Sequence, residues 1–298
     1  MHQGRPHKGR TILTGTQAVD IPSSVSRRPW QAQQRFMAYG TEFLLRVNRS
    51  SALPALLAWL PLGCVLIPEQ DGSAPHHSYS IAFSDQPDFS AVINRDGRRV
   101  AVCHSEAQLL AALRLEIVAR MVENSRERVF IHSGVVGWRG QAILIPGRST
   151  HGKTTLVTRF LEAGATYYSD EFALLDSAGY VHPYARQLQV RLQKDSLIQT
   201  AVPASEIGGT GGIGKDAIPP MMLLACRYRE GAKWRPTEIT PGAATLELTR
   251  HCASANRNPE AAFHAISQAA SRLRAWRGAR GEALHVVEWA LKLLDAGY

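Results

Sequence analysis

The pattern of apolar and polar positions divides the chain into three stretches. Residues 1–35 hold no sustained period, and their Pro, Gln and basic side chains read as a basic, flexible arm. From Phe36 the pattern tightens. Short runs at 41–46, 79–83, 91–94 and 99–102 predict strands, with Asn94-Arg-Asp-Gly97 as a turn before the last of them. Residues 51–59 predict a short helix with Ser50 or Ser51 as its cap. Ser105 opens a longer helix in which Leu109, Leu110, Leu113, Ile117 and Met121 recur at helical spacing to about residue 124. Residues 36–125 therefore read as a small α+β module with no visible chemistry, and no internal repeat is evident.

Residues 126–298 read as a second, α/β domain. Strands are predicted at 129–136 and 141–146, joined by a turn at Gly137-Trp-Arg-Gly140. A Gly-rich loop follows, then a helix with Leu156, Val157, Phe160 and Leu161 on one face and Gly164 as its stop. The next strand ends at Asp170. Short strands continue at 172–175, 180–184 and 187–192, with Asp176-Ser-Ala-Gly179 as a hairpin turn. Residues 208–214 are a flexible Gly-rich loop, and 221–228 predicts a buried strand. The remainder reads as three amphipathic helices, 241–251, 259–277 and 281–294.

Composition narrows the class. A chain of 298 residues fits one large or two modest domains. With 45% apolar and 20% charged residues it has the balance of a globular protein. The longest apolar stretch, 53–67, is broken by Pro54, Pro61 and Gly63, short of the roughly 20 residues that span a bilayer. Collagen, coiled coil and membrane-spanning helices are excluded on these grounds. The net charge is +9, concentrated in residues 1–35 and 227–280. Such surfaces suit acidic partners, or are simply solvated. No basic stripe interleaved with aromatics points to nucleic acid. Cys64, Cys103, Cys226 and Cys252 form no CxxC pair, so neither a zinc site nor a redox motif is indicated, and a reducing, cytoplasmic setting is expected. No apolar stretch follows the basic N-terminus as a secretory signal requires.

The chemistry concentrates in Gly147-Arg148-Ser149-Thr150-His151-Gly152-Lys153-Thr154, which fits G-x-x-x-x-G-K-[ST] at every fixed position. Two glycines let the backbone wrap so that its N–H groups converge on phosphate oxygens, and the helix that follows adds its positive end. Lys153 then reaches the β- and γ-phosphates and Thr154 ligates Mg²⁺, with Thr155 closing the nucleotide-binding stretch. The strand before and the helix after supply the context this motif needs. Asp170 and Glu171 lie at the end of the next strand, Asp170 only 17 positions after Lys153. Two adjacent acids there suggest a division of labour, one holding metal and the other taking a proton from an acceptor hydroxyl. Neither an LSGGQ-like transporter signature nor a guanine-reading NKxD is found. His132 lies on the strand before the loop strand and is either structural or close to the phosphate. Arg186 and Arg191 either clamp phosphate or substrate, or are solvated strand residues. Lys215 either closes over the γ-phosphate or is a solvated loop residue. The basic stretch 271–280, with Arg272, Arg274, Arg277 and Arg280 on a helix, receives an acidic peptide or phosphate, or is a plain solvated face.

The layout strand–His–(S/G)G–strand–GxxxxGK[ST]–helix–G–strand–(A/S)D(D/E) resembles the catalytic domain of the HPr kinase/phosphorylase family and its HPr-kinase-like relatives. More distantly it is similar to the nucleotide site of phosphoenolpyruvate carboxykinase. Residues 132–191 carry the resemblance and 218–294 fit more loosely, about half the chain together. It implies a P-loop kinase domain of mixed sheet with C-terminal helices, preceded by the small α+β module. It also implies ATP and Mg²⁺ as cofactors and transfer of the γ-phosphoryl to a serine-type hydroxyl of a peptide or protein. By position, Asp170 matches the family's catalytic acid/base, Glu171 its metal-associated acid, and His132 its active-site histidine. The family usually has a second Asp where this chain has Glu171. Its second signature segment is missing, so neither phosphorylase activity nor HPr as substrate is implied. The layout is closer to smaller HPr-kinase-like proteins, some of which phosphorylate a serine of a lasso-peptide precursor. Three other readings stay open: a kinase of a small hydroxyl metabolite, a P-loop ATPase switch without acceptor, and a nucleotide-binding scaffold. A homo-oligomer is equally open.

Overall fold

The computed structural model describes residues 29–60, 63–68, 74–84, 89–147, 152–184, 210–255 and 258–297, together with the backbone of 188–191 and 199–202. Tyr39 and Gly40, both at positive φ, turn β1 (Ala32–Ala38) into β2 (Thr41–Val47) as a tight hairpin. A short 3₁₀ turn (Ser50–Ala52) leads into α1 (Leu53–Ala58), and β3 (Cys64–Ile67) returns to the outer edge of β1. β4 (His77–Phe83) pairs parallel with β2, and β5 (Ala91–Arg95) and β6 (Arg98–Cys103) complete a six-stranded mixed sheet, β3-β1-β2-β4-β5-β6. Ser105 caps α2 (Glu106–Asn124) by accepting from the Gln108 N–H. Leu109, Leu113, Ile117 and Met121 of α2 pack on Phe36, Phe43, Leu45, Tyr79 and Ile93 of the sheet.

β1 corrects the expected arm. It starts at Ala32, inside the stretch read as 1–35, because the polar run Ala-Gln-Gln-Arg is paired to β2 on one side and continues into the β3 pairing on the other. Arg35 is held by Glu42 across the hairpin at 2.7 Å. Backbone pairing, rather than apolar alternation, makes this half of the strand. Residues 1–28 lie outside the described residues.

The second sheet is built on β7 (Val129–Trp138), β8 (Gln141–Pro146), β14 (Pro220–Tyr228) and β16 (Arg274–Arg280). Its order is β11-β10-β7-β8-β14-β16-β15, with β9 (Thr166–Ser169) also on β7. Here β10 is Phe172–Leu175, β11 is Val181–His182 and β15 is Thr237–Ile239. β8, β14 and β16 run parallel, and the flanking pairs are antiparallel. α3 (Lys153–Glu162) and α6 (Ala283–Asp295) cover one face. α4 (Pro241–Arg250) and α5 (Pro259–Ala270) cover the other. Burial on both faces explains why 141–146 and 221–226 read as continuous apolar runs. A separate two-stranded ribbon pairs β12 (Leu188–Arg191) with β13 (Gln199–Val202). The fold is thus mixed α/β, with two mixed sheets and six helices among the described residues. Among them, no helix is long and apolar enough to cross a membrane.

The stretch from residue 241 on differs from its expected all-helical form. α5 stops at Ala270, and 274–280 is a strand in register with β14, Ala275 opposite Leu223 and Trp276 opposite Leu224. Ala275, Trp276 and Arg280 are buried there while Arg274 and Arg277 face out. The basic stretch is therefore not a helix, and its arginines are engaged. Arg274 grips Glu238 with two bonds, Arg277 bonds Glu247, and Arg272 donates to the Ala178 carbonyl. An acidic-peptide receptor on this stretch is not retained.

Candidate active site

The loop motif sits where a parallel strand hands over to a helix. β8 ends at Pro146, Gly147 follows, and α3 begins at Lys153. Gly152 caps the helix at φ +77, a left-handed conformation that glycine adopts without strain. Leu156, Val157, Phe160 and Leu161 bury the inner face of α3, as its periodicity predicts. Gly134 of β7 lets that helix settle on the sheet, since a Cβ there would lie 2.8 Å from Val157 Cγ2.

Lys153 is buried, 7% exposed, and turns back toward the strands. Its Nζ donates to the Gly147 carbonyl at 2.8 Å and lies 3.3 Å from His132 Nε2. A charged ammonium can only donate, so Nε2 is the acceptor and the imidazole proton sits on Nδ1. His132 is itself fixed by its backbone. Its N–H donates to the His251 carbonyl at 2.8 Å, and its carbonyl accepts from Gly147 N at 3.3 Å. The strand before the loop strand thus ties both ends of the lysine's contact.

The acids lie on the other side of β7. β9 and β10 run antiparallel to it, with Ser169 opposite Val135 and Phe172 opposite His132. Between those two pairs the chain passes Asp170 and Glu171, alongside Gly134 and Ser133. A bulge between Val135 and Val136 shifts the register just before them, a device that re-aims side chains. Ser169 Oγ accepts from both Glu171 N (3.1 Å) and Phe172 N (3.0 Å), and Ser133 N donates to the Glu171 carbonyl at 3.0 Å. Asp170 is 3% exposed. The hydroxyl of Tyr167, a member of the core beneath α3, donates to its Oδ1 at 3.2 Å. Glu171 is paired instead with Arg114 of α2, Oε2 to Nη2 at 3.3 Å, a contact from the first sheet's layer.

The structure brings His132, Gly147, Gly152, Lys153, Asp170 and Glu171 to the carboxyl end of β8 and the adjoining stretch of β7. Thr154 is half-buried on the first turn of α3, and Thr155 is exposed. Arg148, Ser149, Thr150, His151 and Arg186 lie outside the described residues. Arg191 is placed only through its backbone, in the β12–β13 ribbon. Lys215 is exposed in a loop joined to β9 by the Ile213–Tyr167 bridge. Sequence reasoning gave no role to Tyr167 or Arg114, and it placed Arg280 only in a basic helix open to an acidic peptide or phosphate. The only signal for Tyr167 was its position three residues before Asp170. Arg280 was masked by the helical reading of its stretch. No protein-family model matches the chain, and no curated protein matches it.

Proposed function

We propose that this chain is an ATP-dependent kinase that moves the γ-phosphoryl group to a serine-type hydroxyl of a peptide or protein. The observation that carries the reading is the buried Lys153 ammonium, held between the Gly147 carbonyl and His132 of β7, the strand that the Asp170–Glu171 turn also borders. Lys153 and the N–H groups at the start of α3 supply positive charge to a polyphosphate. Asp170, aimed by Tyr167, takes the acceptor's hydroxyl proton. The hydroxyl oxygen then bonds the γ-phosphorus while the bond to the β-phosphate oxygen breaks, releasing ADP. His132 orients Lys153 by accepting from it. Peptide or protein as acceptor rests on the resemblance to HPr-kinase-like proteins.

The oxygen donors suit Mg²⁺. Among the described residues no cluster of three or more His, Cys, Asp or Glu could hold a metal alone. A hard cation that draws most of its ligands from substrate phosphate and water needs only one or two carboxylates. Thr154 and Glu171 would hold it, and it would neutralise charge on the phosphates, which leaves Asp170 for the proton. The test is titration of MgATP into wild type and Lys153→Ala. We expect the variant to lose affinity by about a hundredfold, the worth of a charge-assisted contact to phosphate. Equal affinity would remove the phosphate-loop reading.

A further inference from the structure

Arg280 ends β16 and is 2% exposed. Its Nη2 donates to the Gly152 carbonyl at 2.9 Å, and its Nη1 donates to the Gly281 carbonyl at 2.8 Å. The guanidinium lies over the Tyr228 ring, 5.5 Å from its centroid. Nε is buried and has no hydrogen-bond partner among the described residues. A cation so enclosed, with neutral carbonyls for acceptors, is costly to bury. Desolvation accordingly pulls its pKa below the ordinary arginine value, against opposing contributions from Cys226, Tyr228 and Glu282. An anion bound close by would compensate it.

The contact is placed to act on the loop. The Gly152 carbonyl accepts twice, from Arg280 and from the Leu156 N–H at 3.1 Å. The same peptide group carries the Lys153 N–H, one of the donors that the start of α3 leaves without a helical partner. A charge-assisted bond to a carbonyl polarises its peptide and strengthens the opposite N–H as a donor. Gly152 and Arg280 are also matched in shape, since a Cβ at 152 would lie 2.1 Å from Nη2. Arg280 comes from a strand 128 residues away, so no local motif contains it.

We propose that Arg280 is a positioning residue of the phosphate site: it holds and polarises the Gly152–Lys153 peptide from behind and adds a second buried positive charge to that of Lys153. The inference rests on reading residues 147–155 as a phosphate loop. The ligand class is a polyphosphate, and the nucleoside plays no part in this contact.

The experiment is calorimetric titration of MgATP and of inorganic tripolyphosphate into wild type, Arg280→Met and Arg280→Lys, with thermal unfolding of each protein alone. Arg280→Met should weaken both ligands by about 10- to 100-fold. Its unliganded unfolding midpoint should drop by a few degrees while the protein stays folded at about 25 °C, because the Gly281 carbonyl loses its donor. Arg280→Lys keeps the charge but loses the fork, and should fall between the two. Wild-type affinity in a folded Arg280→Met protein overturns the proposal, and so does a loss confined to ATP. Where Arg280→Met does not fold, Arg280→Lys decides: weakened tripolyphosphate binding supports the proposal and undiminished binding overturns it. A wild type that binds neither ligand fails at the phosphate loop itself, which separates the two readings.

Discussion

Asp170 illustrates how much a single contact can determine. Its carboxylate is buried, yet one oxygen is directed by the Tyr167 hydroxyl from a tyrosine that belongs to the core under α3. A general base needs that kind of fixed aim more than it needs exposure. Asp170→Asn should therefore leave MgATP affinity close to wild type while lowering turnover by about 10²–10⁴-fold, the usual worth of such a group. Steady-state turnover beside a nucleotide titration separates the two effects, and turnover within a few-fold of wild type would deny Asp170 the role. Lys153, Asp170 and His132 were legible as candidates because the loop motif has rigid spacing and the acids follow it at once. Tyr167 and Arg114 were not, because each reaches the site through folding of a segment whose own pattern says nothing about phosphate, and Arg280 was visible only as one of four basic residues on an expected helix.

At the scale of elements, α4 braces the site from the opposite face. Its C-terminal His251 gives its carbonyl to the His132 N–H. The same histidine's ring sits 3.5 Å from Glu247, which also accepts from Arg277 of β16 at 2.8 Å. Bonding to His251 first, then Arg277, holds the Glu247 carboxyl at about 2, below its ordinary value of 4.5. The sign follows: a depressed folded pKa gives stability that is present above 4.5 and is lost as pH falls toward about 2. Glu247→Gln should cost about 1–2 kcal/mol at pH 7, discounted for the exposed arginine partners, with the deficit shrinking toward zero in acid. Urea unfolding of both proteins from pH 7 to pH 2.5 measures this, and a deficit that does not change with pH would contradict it. Elements with strong periodicity were legible here, α2, α3, β8 and β14 among them. β16 was not. Its alternation of buried Trp276 and Arg280 with outward Arg277 is a strand pattern, but four arginines at near-helical spacing imitate the polar side of a helix. Only pairing with β14 and β15 on both edges decides between the two.

Across the whole molecule, the two sheets share a core. Phe130 of β7 meets Tyr39 of the β1–β2 turn and Phe172 of β10 edge-on, with centroids at 5.5 Å in each case, and Tyr184 closes the cluster. Arg114 extends that union to Glu171 beside the proposed base. The module that looked empty of chemistry is thus in contact with the candidate site, a relation carried by long-range packing and invisible to local pattern. Phe130→Ala should destabilise by about 3–5 kcal/mol. Loss of this shared contact should lower one common unfolding transition; a separate transition with the first sheet untouched would contradict the shared core. The account as a whole turns on phosphoryl transfer. The most direct measurement is incubation with γ-labelled ATP and Mg²⁺, offering peptides encoded by neighbouring genes and a panel of free hydroxyl metabolites, with Lys153→Ala as control. Label on a peptide serine, absent with Lys153→Ala, is the predicted result. Release of free phosphate alone, at a rate no acceptor changes, would contradict it.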